Sequence, residues 1–293
     1  MPDTDILVSA VTDEQMRDID AYWTPERMRA ASPVELPTLA RDELRQLIER
    51  SRRDGTEEGI VLPSGPPQAW LRGSPYAADV DKRPYWNGGA LFFTRDGSDY
   101  QCSAEFVGND RVIMTAAHCL MDSDSGQWST NVVFYRSYVG HWWGKGGQKV
   151  GVSCLCVKQG WRDTGDETWD YGFCYTRDAS GAGWLGFKTG APYSSWTAIG
   201  YPENYGGTDD MYAVTGDKGQ FTGGLVQMTG NPMGHGSSGG AWIGGLSEDY
   251  DPNGNFAIGL NAFKYDDDPS SGWGPLFDWN TWDLYEYASA NPC

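Results

Sequence analysis

The fold this sequence predicts is all-β, a barrel or sandwich of many short strands, preceded by a helical N-terminal segment. Three observations predict it. The 293 residues include 39 glycines, and aromatic residues make up 14% of the chain, a composition suited to short strands joined by tight turns. No long helical periodicity runs through the C-terminal two-thirds. The length is enough to bury a full core, with an appendage if needed.

The first 70 residues differ in kind from the rest. Thr12 with Gln15 three residues on forms a helix-capping pattern, and Thr24 followed by Pro25 starts a second helix, because proline fits the first turn without losing a bonded amide. Leu44, Leu47 and Ile48 make a narrow apolar stripe within the charged segment from Thr38 to Arg53, which predicts a third amphipathic helix. A Gly/Pro/Ser-rich stretch from Asp54 to Pro75 follows, then the basic pair Lys82-Arg83. Such a change of composition marks a segment boundary. Residues 1–75 are therefore expected to be a helical prosegment with its linker and residues 76–293 the main domain, with cleavage between about Arg72 and Arg83. Strand patterning begins at Gly88-Gly89-Ala90-Leu91-Phe92-Phe93.

The net charge of −18 excludes a nucleic-acid partner, whose phosphates need Lys and Arg, and disfavours an anionic membrane surface. Residues 84–293 carry 24 Asp and Glu against 11 Lys and Arg. No segment reaches the ~18 consecutive apolar residues of a membrane span. The start, Met1-Pro2-Asp3-Thr4-Asp5, lacks the basic flank and apolar centre of a signal peptide. Six cysteines nevertheless predict an oxidising compartment, so a secreted protein whose leader has been removed is expected.

Three segments carry the chemistry: Thr115-Ala116-Ala117-His118-Cys119, Asp170-Tyr171-Gly172 and Gly236-Ser237-Ser238-Gly239-Gly240. Together they supply a base, an orienting carboxylate and a nucleophile. Arg111 to Thr115 reads as a buried strand, after which His118 opens a short helix. A disulfide from Cys119 to Cys102 would staple that turn and hold the imidazole in place. Asp170 lies among alternating aromatic residues that shield a carboxylate from water, and an imidazole N–H offsets the cost of burying it. Glycines around Ser238 let the Gly236 and Ser238 amides converge as an oxyanion hole.

In this order, the three segments resemble the chymotrypsin/trypsin-like serine peptidases over roughly residues 85–293. The resemblance implies two six-stranded antiparallel β-barrels with the catalytic site between them, and a C-terminal helix, here Trp279 to Ala290. It makes His118 the general base, Asp170 its orienter and Ser238 the nucleophile. Ser237 stands where the trypsin-like pattern has an aspartate that pairs with the new N-terminal amine, so activation needs another route. Pro232, six before the nucleophile, removes the usual basis for cleavage after Arg or Lys. Gly259-Leu260-Asn261-Ala262-Phe263 replaces the Ser-Trp-Gly edge that binds the substrate backbone.

These departures, the short Asp170 to Ser238 spacing and the prosegment resemble the V8-like, glutamyl-endopeptidase branch. Asn261 falls where that branch has its pocket histidine. The substrate-binding set implied is Pro232, Met233, His235, Asn261, Ala262, Phe263 and Lys264. Within it, His235 and Lys264 favour an acidic side chain before the cut bond, and Met233 and Phe263 an apolar one. The expectation is a zymogen-derived secreted endopeptidase acting on protein or peptide substrates, a monomer with no cofactor and no metal.

A non-catalytic binding or toxin protein on this fold is the alternative, and the presence of all three residues argues against it. A glycoside-cleaving protein, suggested by 14 Trp, lacks a convincing carboxylate pair. Asp122–Gly126 and Asp266–Asp268 have the oxygen density calcium takes but not the spacing of a binding loop. His141 has no assigned role. Among the remaining cysteines, Cys154 and Cys156 share a strand face, so a bridge from either to Cys174 is compatible with the pattern, with Cys293 taking the partner left over, and the sequence does not choose among the three pairings four cysteines allow.

Overall fold

The short apolar runs fold as strands, and a computed structural model describes residues 5–40, 73–140, 142–291 and 293. The N-terminal part contains β1 (Ile6–Ala10), α1 (Asp13–Tyr22), α2 (Pro25–Ala30), β2 (Ser32–Pro33), β3 (Thr38–Leu39) and β4 (Tyr76–Ala77). The first barrel is built from β5 (Gly88–Arg95), β6 (Ser98–Phe106), β7 (Val112–Thr115), β8 (Thr130–Val139), β9 (Trp142–Lys158) and β10 (Gly172–Thr176), with α3 (Ala117–Leu120) and α4 (Gln159–Thr164) between strands. The second half comprises β11 (Gly186–Phe187), β12 (Ser195–Gly200), β13 (Tyr212–Thr222), β14 (Leu225–Thr229), β15 (Ala241–Gly244), β16 (Phe256–Leu260), β17 (Phe263–Tyr265), β18 (Asp268–Pro275) and α5 (Trp279–Ala290).

β5 and β6 form a hairpin whose two turn residues, Asp96 and Gly97, both have positive φ. That turn matches the right-handed twist of the flanking strands. The barrel closes in the order β9-β10-β7-β6-β5-β8 and back to β9, antiparallel throughout. In the second half, β16-β15-β12-β13-β14-β18 are hydrogen-bonded in sequence. The open ends meet where the Ala262 N–H donates to Trp273 O at 3.1 Å. Stacked Trp196 and Trp242, 5.4 Å apart, centre this second core. The all-β double-barrel fold is thus observed, and its C-terminal helix runs from Trp279 to Ala290 as expected. That helix lays Trp282 and Tyr285 against Phe187 and Phe173, so it covers the first barrel.

The two predicted N-terminal helix starts are present. Thr12 and Gln15 form a reciprocal capping box, and Thr24 accepts from the Arg27 N–H with Pro25 in the first turn; each cap contributes about 1 kcal/mol. The partner surface of these helices is the first barrel: Trp23 is buried against Phe92 and donates from Nε1 to Asn131 O at 2.6 Å. A wholly helical segment is not observed, because Ile6–Ala10 forms a strand antiparallel to β9. Thr38–Leu39, expected to open a third helix, is instead a strand beside β17. The Leu44, Leu47 and Ile48 stripe and His141 lie outside the described residues.

The cysteines correct one expectation. Cys102 and Cys119 are bonded as predicted, and Cys154 pairs with Cys293, one of the pairings left open, but the expected bridge to Cys174 is not formed and Cys156 and Cys174 are free and buried. Strand register explains why. Cys156 stands opposite Phe173 and Cys154 opposite Tyr175, whereas Cys174 stands opposite Leu155. Directly opposed residues share a face and neighbours along a strand alternate, so Cys174 points away from both. Phe173 faces α5, and the same face brings Cys154 to the chain end beyond that helix.

Candidate active site

The histidine turn and the aspartate come from the first barrel, the serine turn from the second. β7 delivers Thr115 to the short helix α3, where His118 is 8% exposed. Asp170 follows the single turn Glu167–Trp169 and is fully buried. Its Oδ2 lies 2.7 Å from His118 Nδ1, and its Oδ1 accepts the His118 backbone N–H at 2.9 Å. A carboxylate held by two donors from one residue fixes both the position and the rotation of that imidazole. Half-buried Trp169 and buried Tyr171 flank it, the expected aromatic shelter.

Ser238 sits in a turn that only glycine could complete. Gly239 has φ +84°, and a Cβ there would lie 2.1 Å from Thr115 Oγ1 and 2.8 Å from Ala116 N. The serine turn is therefore seated directly on the histidine motif, and Cys119 Sγ is 3.9 Å from Ser238 O. Gly236, at φ +82°, has no room for a Cβ beside Tyr201 O. Ser238 Oγ and His118 Nε2 are both buried, and neither has a hydrogen-bond partner among the described residues.

Two residues of β6 hold the halves together, and the sequence reading missed both. The Ser103 N–H donates to Ser238 O at 2.8 Å, and the Ser103 hydroxyl donates to Gly236 O and accepts the Tyr201 N–H. Glu105 Oε1 accepts the Ala241 N–H at 2.9 Å, just past the serine turn, while Oε2 has no partner. The available signal was alternation: Ser103 and Glu105 are polar positions two apart between the apolar Cys102, Ala104 and Phe106 at the end of the strand, facing the second barrel instead of solvent.

Burial pushes the Glu105 carboxyl well above the usual carboxylate range. The fold thus retains this proton, whereas the unfolded chain releases it near pH 4.3. Stability from Glu105 is complete below that value and declines as pH rises toward the folded-state pKa, because the unfolded state then binds fewer protons. The melting-temperature advantage of Glu105→Gln over the parent should accordingly grow by roughly 2–4 °C between pH 4 and pH 8. Thermal melts at the two pH values measure it; an unchanged difference would refute a buried neutral carboxyl.

Of the expected substrate-binding residues, Asn261 is bonded to the serine turn through its backbone, its carbonyl accepting the Gly239 N–H at 2.9 Å. Met233, Asn261, Ala262, Phe263 and Lys264 are buried. Asn261 Oδ1 accepts from Trp242 Nε1 and Asn231 Nδ2, and its Nδ2 donates to Ser237 O and Ile199 O, so this side chain braces the serine turn. Lys264 Nζ donates to Asn231 O at 3.0 Å and Pro269 O at 2.7 Å. Burial lowers its pKa to about 8. Pro232 lends its carbonyl to Asn204, and His235 Nδ1 accepts the Leu36 N–H at 2.7 Å. The Gly236 N–H donates to Val34 O at 3.0 Å. The N-terminal segment therefore lies over these residues.

Cys102, His118 and Cys119 bring donor atoms within 4.8 Å of one another, but the two sulfurs are bonded together and are not metal ligands. Asp122 is drawn into a local turn, its Oδ1 accepting from the N–H and hydroxyl of Ser125, which lower its pKa.

No protein-family model and no curated protein matches the chain. Solved structures do. The chain is similar to the protease Anisep from Arthrobacter nicotinovorans, at 24% identity and TM-score 0.61 over 70% of this chain and 96% of that one. The thermostable serine protease AL20 from an extremophilic microorganism is similar at 25% identity and TM-score 0.61 over 70% and 98%. A Glu endopeptidase in complex with MPD is similar at 18% identity and TM-score 0.61 over 76% and 99%. Architecture and likenesses define the class: the chain has the fold of the chymotrypsin-like serine peptidases.

Proposed function

We propose that the protein is a secreted serine endopeptidase, made as a zymogen, that cuts peptide bonds through His118, Asp170 and Ser238. The observation that carries this reading is the double hydrogen bond from His118 to Asp170, with the Ser238 turn packed on the same histidine motif. His118 Nε2 removes the Ser238 proton as Oγ attacks the carbonyl, and the Gly236 and Ser238 N–H groups receive the oxyanion. His118 then protonates the leaving amine, and water hydrolyses the acyl-enzyme by the same route.

The Cys102–Cys119 and Cys154–Cys293 bonds support an extracellular setting. The Val34 carbonyl on the Gly236 N–H supports the zymogen, since a substrate needs that donor. Residues 1–75 serve as prosegment and 76–293 as the peptidase domain.

The pocket of Met233, Phe263 and the Lys264 ammonium disfavours a cationic side chain before the cut bond, because a buried like charge is repulsive. Fluorogenic peptides with Glu, Phe, Leu or Arg at that position test this on the activated protein: Arg should be poorest by at least about tenfold, and preferred cleavage after Arg would overturn the pocket assignment. Labelling by a fluorophosphonate, mapped to Ser238 by peptide mass, tests the class itself.

A further inference from the structure

Residues 32–40 do more than cover the cleft. At one end, β2 pairs in parallel with Tyr100–Gln101 of β6, and the Val34 N–H donates to Gln101 O at 2.9 Å. In the middle, Val34 O takes the Gly236 N–H at 3.0 Å, and the Leu36 N–H reaches His235 Nδ1 at 2.7 Å. Leu36 is buried while Glu35 is exposed. At the far end, the Lys264 N–H donates to Pro37 O at 2.8 Å, and β3 pairs in parallel with Lys264–Tyr265. One extended segment thus passes the serine turn at Gly236 and is bonded to both barrels.

Its direction is the informative feature. On the peptidase reading above, on which this inference rests, Met233 and Asn261–Lys264 read the residue before the cut bond. The acyl half of a substrate then lies along β17 and the leaving half toward β6, beside the Cys102–Cys119 bond. A substrate runs from the β17 edge to the β6 edge. The strap enters at β6 and leaves at β17.

We propose that Pro33–Leu39 is a reverse-polarity peptide ligand of the cleft, which the enzyme binds without cutting, and that the free peptide Ser32–Ala40 binds there in trans. Attack on the Val34 carbonyl would form a tetrahedral carbon whose nitrogen, that of Glu35, lies on the acyl side. His118 protonates on the leaving side, so the adduct expels Ser238 Oγ and the peptide bond is restored. Pro33 and Pro37 keep the strap extended on either side of Leu36.

The strap is also anchored apart from the linker. Ile6–Ala10 pairs with Cys154–Lys158, and Asp5 meets the buried Lys158 Nζ at 3.1 Å. Cleavage between Arg72 and Arg83 therefore leaves residues 5–40 in place as a bound inhibitor, and activation needs their later loss.

The test compares the full chain with the full-length Leu36→Asp variant, which buries a charge in the strap while leaving β1, α1 and α2 unchanged. Fluorophosphonate labelling of Ser238 should be at least tenfold faster in the variant, and Leu36→Ala should show at least a threefold gain should the charge disturb folding. Adding the synthetic peptide Ser32–Ala40 to the variant should slow labelling toward the parent rate, with the peptide recovered intact by mass spectrometry after a day. Equal labelling of parent and variants, or a cut within Pro33–Leu39, overturns this inference alone. An absence of labelling in every form overturns the peptidase reading and this inference with it.

Discussion

Ser238→Ala abolishes peptide hydrolysis, lowering kcat by on the order of 10⁶, while the protein melts at or slightly above the parent temperature. Both halves follow from the same atom. Ser238 Oγ is the only protein nucleophile the proposed mechanism uses, and once it is gone only the oxyanion donors and binding energy remain. The hydroxyl is also buried with no hydrogen-bond partner among the described residues. Its removal breaks no bond, and deleting an unsatisfied buried polar atom stabilises by up to about 1–3 kcal/mol. The check is kcat on the activated form beside a thermal melt. Retained activity would remove Ser238 from the mechanism, and a large loss of stability would point to a structural role instead.

Asp170→Asn lowers kcat by about 10⁴ with KM nearly unchanged, and the hydrogen-bond pattern says why. Asp170 Oδ1 accepts the His118 backbone N–H, whereas Oδ2 faces Nδ1 of the ring. In the variant, the amide oxygen keeps the backbone donor, which turns the NH₂ toward Nδ1. A donor there selects the tautomer with its proton on Nε2, and such an imidazole cannot take the proton of Ser238. Because the backbone bond survives, the turn holds its shape and the loss falls on the chemical step. Steady-state kinetics decide it: a raised KM with normal kcat would show that Asp170 shapes binding and not the base.

Much of this arrangement was legible in linear order. Each of the three motifs is local, so residue type and spacing carry it: a buried strand before His118, aromatic neighbours around Asp170, glycines flanking Ser238. Capping at Thr12 and Thr24 was legible for the same reason, since a helix cap is set within four residues. The C-terminal helix has its own start signal in Asp278 and Thr281.

What was not legible depends on partners far along the chain. Ile6–Ala10 reads as a short apolar run, and only Cys154–Lys158 makes it a strand. Cys174 sits in the same short stretch of chain as Asp170, yet strand register turns it away from Cys154 and Cys156. Ser103 and Glu105 acquire meaning only when β6 meets the serine turn.

The sequence by itself pointed to the proposed catalytic class, because the base, orienter and nucleophile of that proposal are identified by residue type and the small neighbours each requires. Only the tertiary structure decided that residues 34–39 lie against Gly236 and Lys264, and in which direction, because that peptide polarity arises from pairing between segments some 200 residues apart, and no local pattern encodes it.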